Sequence, residues 1–315
     1  MKLFIDCDPG VDDSLAIMFA LARPDVEIVG ISTSVGNVTA KQGADNALRI
    51  LKLAGKEGEI PVCVGAEAPL MGGELSFPDF IHGKNGIGDV ELPESGQKPE
   101  EKDVCEFIYE KACEYEGELV LLTLGRMTNI ANVLKRYPDF YKKIKRVIAM
   151  GGTVSASGNV SPVVEANIGG DPEAADIVVQ VPWDLTMVGL DVTLKTTLRK
   201  EDIARAIEYC REECKEQLLF LQKEMKWYMQ GARRQNWMQD CCPLHDPLAM
   251  IVAVDPSVVK TQRAITRIEC GGTYCRGMVV TDVREYPIEG RFVTDRKSTR
   301  LNSSHIQKSR MPSSA

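Results

Sequence analysis

The sequence lacks two features that would mark whole classes of protein. No run of apolar residues is long enough to cross a bilayer, so we expect no membrane-spanning segment. No block of basic residues occurs before the last twenty positions, and the formal charge is −7, from 38 Lys and Arg against 45 Asp and Glu. We therefore expect neither nucleic acid nor a membrane as a partner.

Cysteine spacings typical of metal sites and disulfide frameworks are also absent. The ten cysteines form no CxxC pair and show no repeated spacing, which argues against a zinc ribbon and against a disulfide scaffold. Reduced thiols are typical of a cytoplasmic enzyme. Met1 leads directly into an apolar run with the length of a buried strand, so we expect no signal peptide and predict a cytoplasmic localisation.

Most of the 315 residues follow an alternating pattern of strands and helices. Helical patterns separate the apolar, strand-like runs at residues 2–6, 26–34, 60–64, 118–124 and 146–150. This alternation is typical of parallel βαβ units. From residue 201 the apolar residues recur at helical spacing, which predicts an added helical segment near 201–240. The sequence therefore predicts an α/β fold: a single domain with a mostly parallel, open, Rossmann-like sheet flanked by helices.

The last twenty residues differ from the rest of the chain. Residues 296–315 are rich in Ser, Arg and Lys and have no usable hydrophobic pattern. We predict a catalytic domain over residues 1–295 and a non-native or disordered tail over residues 296–315.

Four carboxylates lie where the first predicted strand meets the first helix. Asp6, Asp8, Asp12 and Asp13 fall within eight positions, with a tight Pro-Gly turn between them. Acids this close repel one another, and a hard cation such as Ca²⁺ or Mg²⁺, which prefers oxygen ligands, removes that conflict. Helix capping accounts for Asp12 but not for Asp6 and Asp8 at a strand end, where open α/β sheets bind ligands. This placement favours a metal or substrate site over capping.

Two further polar groups are candidate site residues. His245 and Asp246 precede an apolar helix, where an Asp cap is the simple interpretation, but Asp246 can also supply a distant third carboxylate to the same cation. The ordinary pKa of a histidine suits His245 to proton donation near neutral pH. Asn159, Glu165 and Asn167 lie either in a polar surface loop or in a segment that binds a polyol, because amides and carboxylates suit hydroxyl groups.

The motif DCDPGVDD at residues 6–13, after an N-terminal strand, resembles the signature of the nucleoside hydrolases, the calcium-dependent N-ribohydrolases, here of the inosine-uridine preferring type. The resemblance implies hydrolysis of the N-glycosidic bond of a ribonucleoside to ribose and free base. It implies Ca²⁺ as the cofactor, a small-molecule ribonucleoside as the partner, and a homodimer or homotetramer. Family members normally continue with a further strand and helix where this chain has residues 296–315.

The resemblance also implies roles for individual residues. Asp8 and His245 would be catalytic, with Asp8 taking a proton from the attacking water and His245 giving one to the leaving base. The implied metal ligands are Asp8, Asp13, the main-chain carbonyl of Leu124, and Asp246. The predicted substrate-binding residues are Asp12, Asn37, His82, Asn159, Glu165 and Asn167. Asp6 would support the site from behind. Two departures from the family pattern change the pocket: Ala166 replaces an aromatic residue, and Arg126 replaces a small residue or proline.

Several interpretations stay open at this point. His82 lies in the glycine-rich stretch 72–88, whose length suits a mobile flap, but a surface-loop histidine is an equal alternative. Trp227, Tyr228 and Trp237 lie either in the core or, for one or two of them, beside the nucleobase. An Asp-x-Asp after a strand also occurs in phosphohydrolases of the haloacid dehalogenase type, although no convincing phosphate-binding Lys segment follows. A calcium-dependent nucleoside- or ribose-binding protein without turnover would use the same residues.

Overall fold

The computed structural model describes residues 1–282 and residue 284, together with the backbone of one strand at residues 291–299. The strands in these residues are β1 (Lys2–Cys7), β2 (Glu27–Thr33), β3 (Val62–Val64), β4 (Leu119–Thr123), β5 (Ile144–Met150), β6 (Leu185–Val188), β7 (Thr197–Arg199), β8 (Cys241–Pro243), β9 (Val259–Ile268), β10 (Val279–Asp282) and β11 (Arg291–Thr299). The helices are α1 (Val11–Leu21), α2 (Ala40–Leu53), α3 (Asp79–His82), α4 (Val104–Glu114), α5 (Thr128–Arg136), α6 (Phe140–Lys143), α7 (Ala166–Gly170), α8 (Pro172–Val179), α9 (Leu190–Thr193), α10 (Lys200–Tyr209), α11 (Lys215–Asn236) and α12 (Asp246–Val254).

The main sheet has the strand order β10-β9-β11-β6-β5-β4-β1-β2-β3. All neighbouring pairs from β11 to β3 are parallel, whereas β9 runs antiparallel to both β11 and β10. The chain continues from β1 to β2 and β3 on one side, and places β4, β5 and β6 on the other. The strand order therefore reverses between β1 and β4, and ligands of open α/β sheets bind in the crevice at the carboxyl ends of such strands.

Alternate residues of the buried strands pack against helices on opposite faces of the sheet. In β1, Leu3 and Ile5 belong to one apolar cluster together with residues of α1, α2 and α12, and Phe4 belongs to a second cluster with residues of α4, α5 and α8. Burial on both faces explains why the strands read as continuous apolar runs. The predicted α/β fold, with a mostly parallel sheet flanked by helices, is confirmed.

The predicted helical segment near residues 201–240 consists of α10 and α11. A third apolar cluster joins α11 to the start of α1. In this cluster α11 contributes Met225, Tyr228 and Ala232, and α1 contributes Val11. The short strands β7 and β8 pair antiparallel beside this segment. Among the described residues, no helix combines the length and hydropathy needed to cross a membrane.

The end of the chain is only partly described. Strand β11 lies between β9 and β6, so the boundary that we predict at residue 295 falls inside an element of the sheet. Residues 296–299, assigned to the tail on sequence grounds, continue this strand. The remainder of the predicted tail, residues 300–315, lies outside the described residues.

Candidate active site

The acidic turn lies at the crevice where the strand order reverses. Strand β1 ends at Cys7 and α1 begins at Val11, so Asp8 occupies the connection, and Asp12 and Asp13 lie in the first helical turn. The end of β4 lies beside it, because the backbone N–H of Leu124 donates to the carbonyl of Asp6 at 2.8 Å.

Asp6 lies beneath the turn. Its Oδ1 accepts hydrogen bonds from the Ser32 hydroxyl at 2.6 Å and from the Asn129 amide at 2.7 Å. Burial raises the pKa of Asp6 to about 7, and the two hydrogen bonds oppose that rise. The side chain is fully buried and braces the ends of β1, β2 and the start of α5 against one another.

Asn37 holds the turn from the side of β2. Its backbone N–H donates to Oδ2 of Asp8 at 2.8 Å, and its side-chain amide donates to Oδ2 of Asp13 at 3.2 Å. Gly36 makes this approach possible, because a Cβ at that position would lie 1.8 Å from Oδ2 of Asp8. Asp13 is further fixed by the backbone N–H of Gly10, which donates to its Oδ2 at 2.9 Å. Oδ2 of Asp8 thus accepts a hydrogen bond, whereas Oδ1 is buried and has no partner in the part of the chain that the structure describes.

Three buried carboxylates form a cluster suited to a metal ion. Asp12, Asp13 and Asp246 each offer an oxygen, and these three atoms lie within 4.8 Å of one another. Burial raises the pKa of Asp12 and that of Asp13 to about 6, and the neighbouring Asp12 adds to the rise at Asp13. Burial, followed by the charges of Asp12 and Asp13, raises the pKa of Asp246 well above its ordinary range. Oδ1 of Asp12 has no partner among the described residues.

These residues fit a hard divalent cation. The ligand atoms of this cluster are carboxylate oxygens, the type that Ca²⁺ and Mg²⁺ prefer. Among the described residues, Oδ1 of Asp8 and Oδ1 of Asp12 receive no hydrogen bond. Burying unpaired carboxylates is costly, and a cation offsets that cost. The cluster contains Asp13 and Asp246 from the predicted ligand set, and it contains Asp12, which we assigned to the substrate, instead of Asp8.

The backbone carbonyl of Leu124, the fourth predicted ligand, is already a hydrogen-bond acceptor. The side-chain amide of Asn167 donates to it at 2.5 Å and to the carbonyl of Met150 at 3.2 Å. Glu165 caps α7 and accepts from the backbone N–H groups of Gly152 and Asn167 at 2.8 and 2.9 Å. Its carboxylate is therefore fixed next to Asn167.

Two buried histidines face the acidic cluster. Nδ1 of His245 lies 2.7 Å from the hydroxyl of Thr193, and Nδ1 of His82 accepts from the backbone N–H of Val11 at 3.2 Å. Burial lowers the pKa of each histidine to about 4, so our expectation of an ordinary pKa for His245 is wrong. His82 is therefore neutral near pH 7, and its 3.8 Å approach to Asp12 is not an ion pair.

Of the predicted site residues, all except Asp13 line one cavity of about 620 Å³. His82 lies in this lining and not on a surface loop. Tyr228 also lines the cavity and donates from its hydroxyl to Oδ2 of Asp12 at 3.1 Å. The two tryptophans lie elsewhere: Trp227 donates to the carbonyl of Asp79, and Trp237 is 89% exposed.

Sequence reasoning missed other residues at the cavity. Gln235, Asn236 and Arg276 belong to its lining, and Thr193 orients His245 from α9. Gln235 and Asn236 lie seven and eight residues after Tyr228 in α11, and therefore on the same face of that helix. The helical period could thus have identified them as neighbours of Tyr228. No sequence signal pointed to Thr193, because its partner is 52 residues away.

Comparison with known proteins places the chain in a family. A family model described as inosine-uridine preferring nucleoside hydrolase matches residues 3–308. The chain is 39% identical over 282 residues to uridine nucleosidase 1 of Arabidopsis thaliana, which covers 89% of this chain and 82% of the relative. It is 35% identical over 288 residues to the pyrimidine-specific ribonucleoside hydrolase RihA of Escherichia coli, and this match covers 90% of this chain and 88% of RihA.

Solved structures agree with these relatives. The purine-preferring ribonucleoside hydrolase from Gardnerella vaginalis matches with a TM-score of 0.88 at 35% identity, covering 98% of this chain and 96% of that one. The plant nucleoside hydrolase PpNRh1 matches with a TM-score of 0.88 at 32% identity, covering 95% and 94%. The chain therefore belongs to the inosine-uridine preferring nucleoside hydrolase family.

Proposed function

We propose that this protein is a calcium-dependent hydrolase that cleaves the N-glycosidic bond of ribonucleosides, with Asp8 as the general base and His245 as the donor to the leaving base. Membership of the nucleoside hydrolase family gives the class of reaction, hydrolysis of a ribonucleoside to ribose and free base. The observation that carries the assignment is one cavity in which a buried carboxylate cluster, two histidines and a set of amides meet.

The proposed cation ligands are Asp8, Asp13, Asp246 and the carbonyl of Leu124, and the cluster supports adding Asp12. Ca²⁺ takes six to eight oxygen ligands, so a set this rich in carboxylates suits it. A bound divalent cation would lower the pKa of water in the site and hold sugar hydroxyls. It would also allow several carboxylates to stay ionised together, which burial alone opposes.

The proposed role of Asp8 is to take the proton of the attacking water. The backbone N–H of Asn37 fixes its Oδ2, which leaves Oδ1 as the oxygen free to accept a proton. Burial raises the pKa of Asp8 well above its usual range, and the charge of Asp13 adds to the effect. A more basic carboxylate is a better general base near neutral pH.

The proposed role of His245 is to give a hydrogen bond or proton to the departing base. If the Thr193 hydroxyl donates to Nδ1, the neutral imidazole carries its hydrogen on Nε2. As water forms its bond to C1′ and the C1′–N bond breaks, the electron pair stays with the base, and Nε2–H stabilises the charge that develops there. Because burial keeps His245 neutral, it acts first as a hydrogen-bond donor, unlike the imidazolium that the sequence suggests.

The remaining cavity residues suit the ribose. Asn159, Glu165 and Asn167 come from one segment, and Asp12 faces them from α1. Asn159 accepts from the backbone N–H of Ala166 at 2.9 Å, which orients its amide. Groups that both donate and accept match the hydroxyls of a polyol.

The nucleobase preference is proposed broadly, as purine, pyrimidine or both, because the relatives carry different names: uridine nucleosidase, pyrimidine-specific hydrolase and purine-preferring hydrolase. A panel of inosine, adenosine, guanosine, uridine and cytidine, with chromatography of the released bases, tests the proposal. Release of free base with Ca²⁺ present, lost on chelation, is the expected result. Nucleoside binding without base release would favour the binding-protein alternative, and phosphate release from phosphomonoesters would favour a phosphohydrolase.

We further propose a cytoplasmic location and a homodimer or homotetramer. All ten cysteines are free thiols, which suits a reducing compartment. The assembly rests on the family resemblance and is measured by light scattering after size-exclusion chromatography.

A further inference from the structure

Among the described residues, two arginines line the cavity, and only one of them is paired with a carboxylate. Arg276 donates from its two Nη atoms to the carboxylate of Glu173 at 2.6 and 2.8 Å. Arg126 donates no hydrogen bond and forms no ion pair within 4.0 Å among the described residues. Its guanidinium is a cation in the lining without a dedicated partner.

Arg126 is held in place by packing against backbone. Its side chain lies along Gly170 at the end of α7, where a Cβ would come within 2.3 Å of Nε and 2.9 Å of Cδ of the arginine. The side chain is half-buried there. Gly170 thus leaves the space that the arginine occupies, and the charge has a defined position instead of a choice of solvent-exposed rotamers.

Arg126 lies close to Asp8 in the cavity. Both residues line it, and the residue before Arg126, Gly125, packs so closely against Asp8 that a Cβ there would lie 2.5 Å from Oδ1 of Asp8. The guanidinium lowers the pKa of Asp8 against the larger effects of burial and Asp13. The other acid within its reach, Asp171, is occupied as an acceptor, from the backbone N–H of Leu70 at 2.8 Å and from the Thr128 hydroxyl at 2.7 Å. Burial lowers the pKa of Arg126, yet a guanidinium stays charged in proteins.

We propose that Arg126 is a positioning residue that acts through Asp8 and weakens the binding of the divalent cation at the carboxylate site. The inference rests on the proposed function, because it assumes that Asp8 and the carboxylate cluster hold a cation. A fixed positive charge beside Asp8 attracts the same carboxylate as the cation and repels the cation directly. It also stabilises the cation-free protein, in which the buried acids would otherwise repel one another without compensation.

The test measures cation affinity instead of turnover. Arg126→Met removes the charge and keeps much of the apolar stem, and isothermal titration of chelator-stripped protein with CaCl₂ gives the Kd. We expect Arg126→Met to bind Ca²⁺ about tenfold more tightly than the wild type. We also expect a larger rise of Tm on adding Ca²⁺, because tighter binding stabilises the folded state more.

Two variants serve as controls. Arg126→Lys keeps a charge at the same position and should bind Ca²⁺ within about threefold of the wild type. Arg276→Met removes a cavity arginine whose charge is paired with Glu173, and should change the Kd by less than about twofold. If Arg126→Met does not fold, Arg126→Gln replaces it, since a glutamine fills similar space with a polar end.

The outcomes separate the inference from the proposed function. An unchanged or weaker Ca²⁺ affinity of the neutral variants would overturn the role of Arg126 while leaving the hydrolase assignment intact. A wild-type protein that releases bases but binds no Ca²⁺ would overturn both this inference and the calcium assignment. Equal tightening by Arg276→Met would show a general effect of net charge and would also overturn the role of Arg126.

Discussion

Two buried aspartates of this molecule, Asp191 and Asp8, differ in how many hydrogen-bond donors reach them, and we propose a structural role for the first and a catalytic role for the second. Asp191 accepts from the backbone N–H groups of Val154, Ser155 and Ala156 at 2.7, 2.8 and 3.0 Å, and from the Ser155 hydroxyl at 2.6 Å. Burial raises its pKa, but these hydrogen bonds outweigh burial and the pKa is lowered. Asp191 therefore fixes the loop that follows β5.

Asp8 is equally buried and lacks this supply of donors. One backbone N–H, from Asn37, reaches Oδ2, and Oδ1 has no partner among the described residues. Burial and the charge of Asp13 raise its pKa, and no set of N–H groups compensates. Burial alone thus does not decide the direction of a carboxyl group's pKa shift; the number of hydrogen-bond donors that reach its oxygens does.

The strongest test of this contrast is Asp8→Asn. Removing the base should lower kcat/KM for the best nucleoside by at least about 10²–10⁴-fold, and by more if the cation is lost too. The Tm of the chelator-stripped variant should equal or exceed that of the wild type, because the substitution removes a buried carboxylate that receives a hydrogen bond at only one of its two oxygens. Nucleoside kinetics and differential scanning calorimetry measure the two effects. If Asp8→Asn kept its activity, the assignment of Asp8 as the general base would be wrong.

The second prediction concerns the other end of the scissile bond. His245→Ala should slow hydrolysis of inosine or uridine by about 10²–10⁴-fold, because the leaving base loses its donor. It should slow p-nitrophenyl riboside far less, since nitrophenolate departs without help. Asp8→Asn is the matched control and should damage both substrates alike. An equal loss on both substrates in His245→Ala would mean that the residue acts on the sugar or the metal.

The third prediction is a loss of stability with little loss of activity, the opposite of the effect expected for Asp8→Asn. Asp191→Asn should lower the free energy of unfolding by about 1–3 kcal/mol, because an amide cannot accept all four hydrogen bonds and brings a buried donor. Its kcat/KM should fall much less than that of Asp8→Asn, since Asp191 is not in the cavity lining. Urea unfolding followed by circular dichroism gives the stability. A variant as stable as the wild type but inactive would contradict the contrast.

The smallest effect is expected at Asp6, which accepts more hydrogen bonds than Asp8 and fewer than Asp191. Its pKa is raised by burial from 3.8 to about 7, so ionisation in the folded state is unfavourable. This penalty is absent below about pH 4 and grows as the pH rises from 4 to 7. Asp6→Asn cannot ionise, so its Tm relative to the wild type should rise over that window and then level off. Thermal unfolding of both proteins between pH 4 and 8, in the presence of a chelator, measures this difference in Tm. A difference that becomes smaller as the pH rises would contradict the prediction.

The sequence contained enough to predict the sheet and much of the site. Continuous apolar runs predicted β1 and β4, and acids at a strand end predicted Asp8 at the crevice. The low pKa of His245 was not predictable, because it arises from burial by residues distant in the chain. The membership of Asp12 in the carboxylate cluster depends on side-chain directions at the start of α1. The position of Arg126, in the connection between β4 and α5, depends on space left by Gly170 of α7, 44 residues further along the chain.

The hydrogen bond between Tyr228 and Asp12 has a consequence for how the molecule comes into being. The two residues are 216 positions apart, so the acidic turn is synthesised long before the helix that completes its cavity. Contacts of such sequence separation form only after a large loop is closed, which makes them late and slow to form. An incomplete chain emerging from the ribosome carries four clustered aspartates with no wall for a nucleoside to bind against. The site becomes usable only when nearly the whole domain has been made, which couples completion of the chain to the onset of activity.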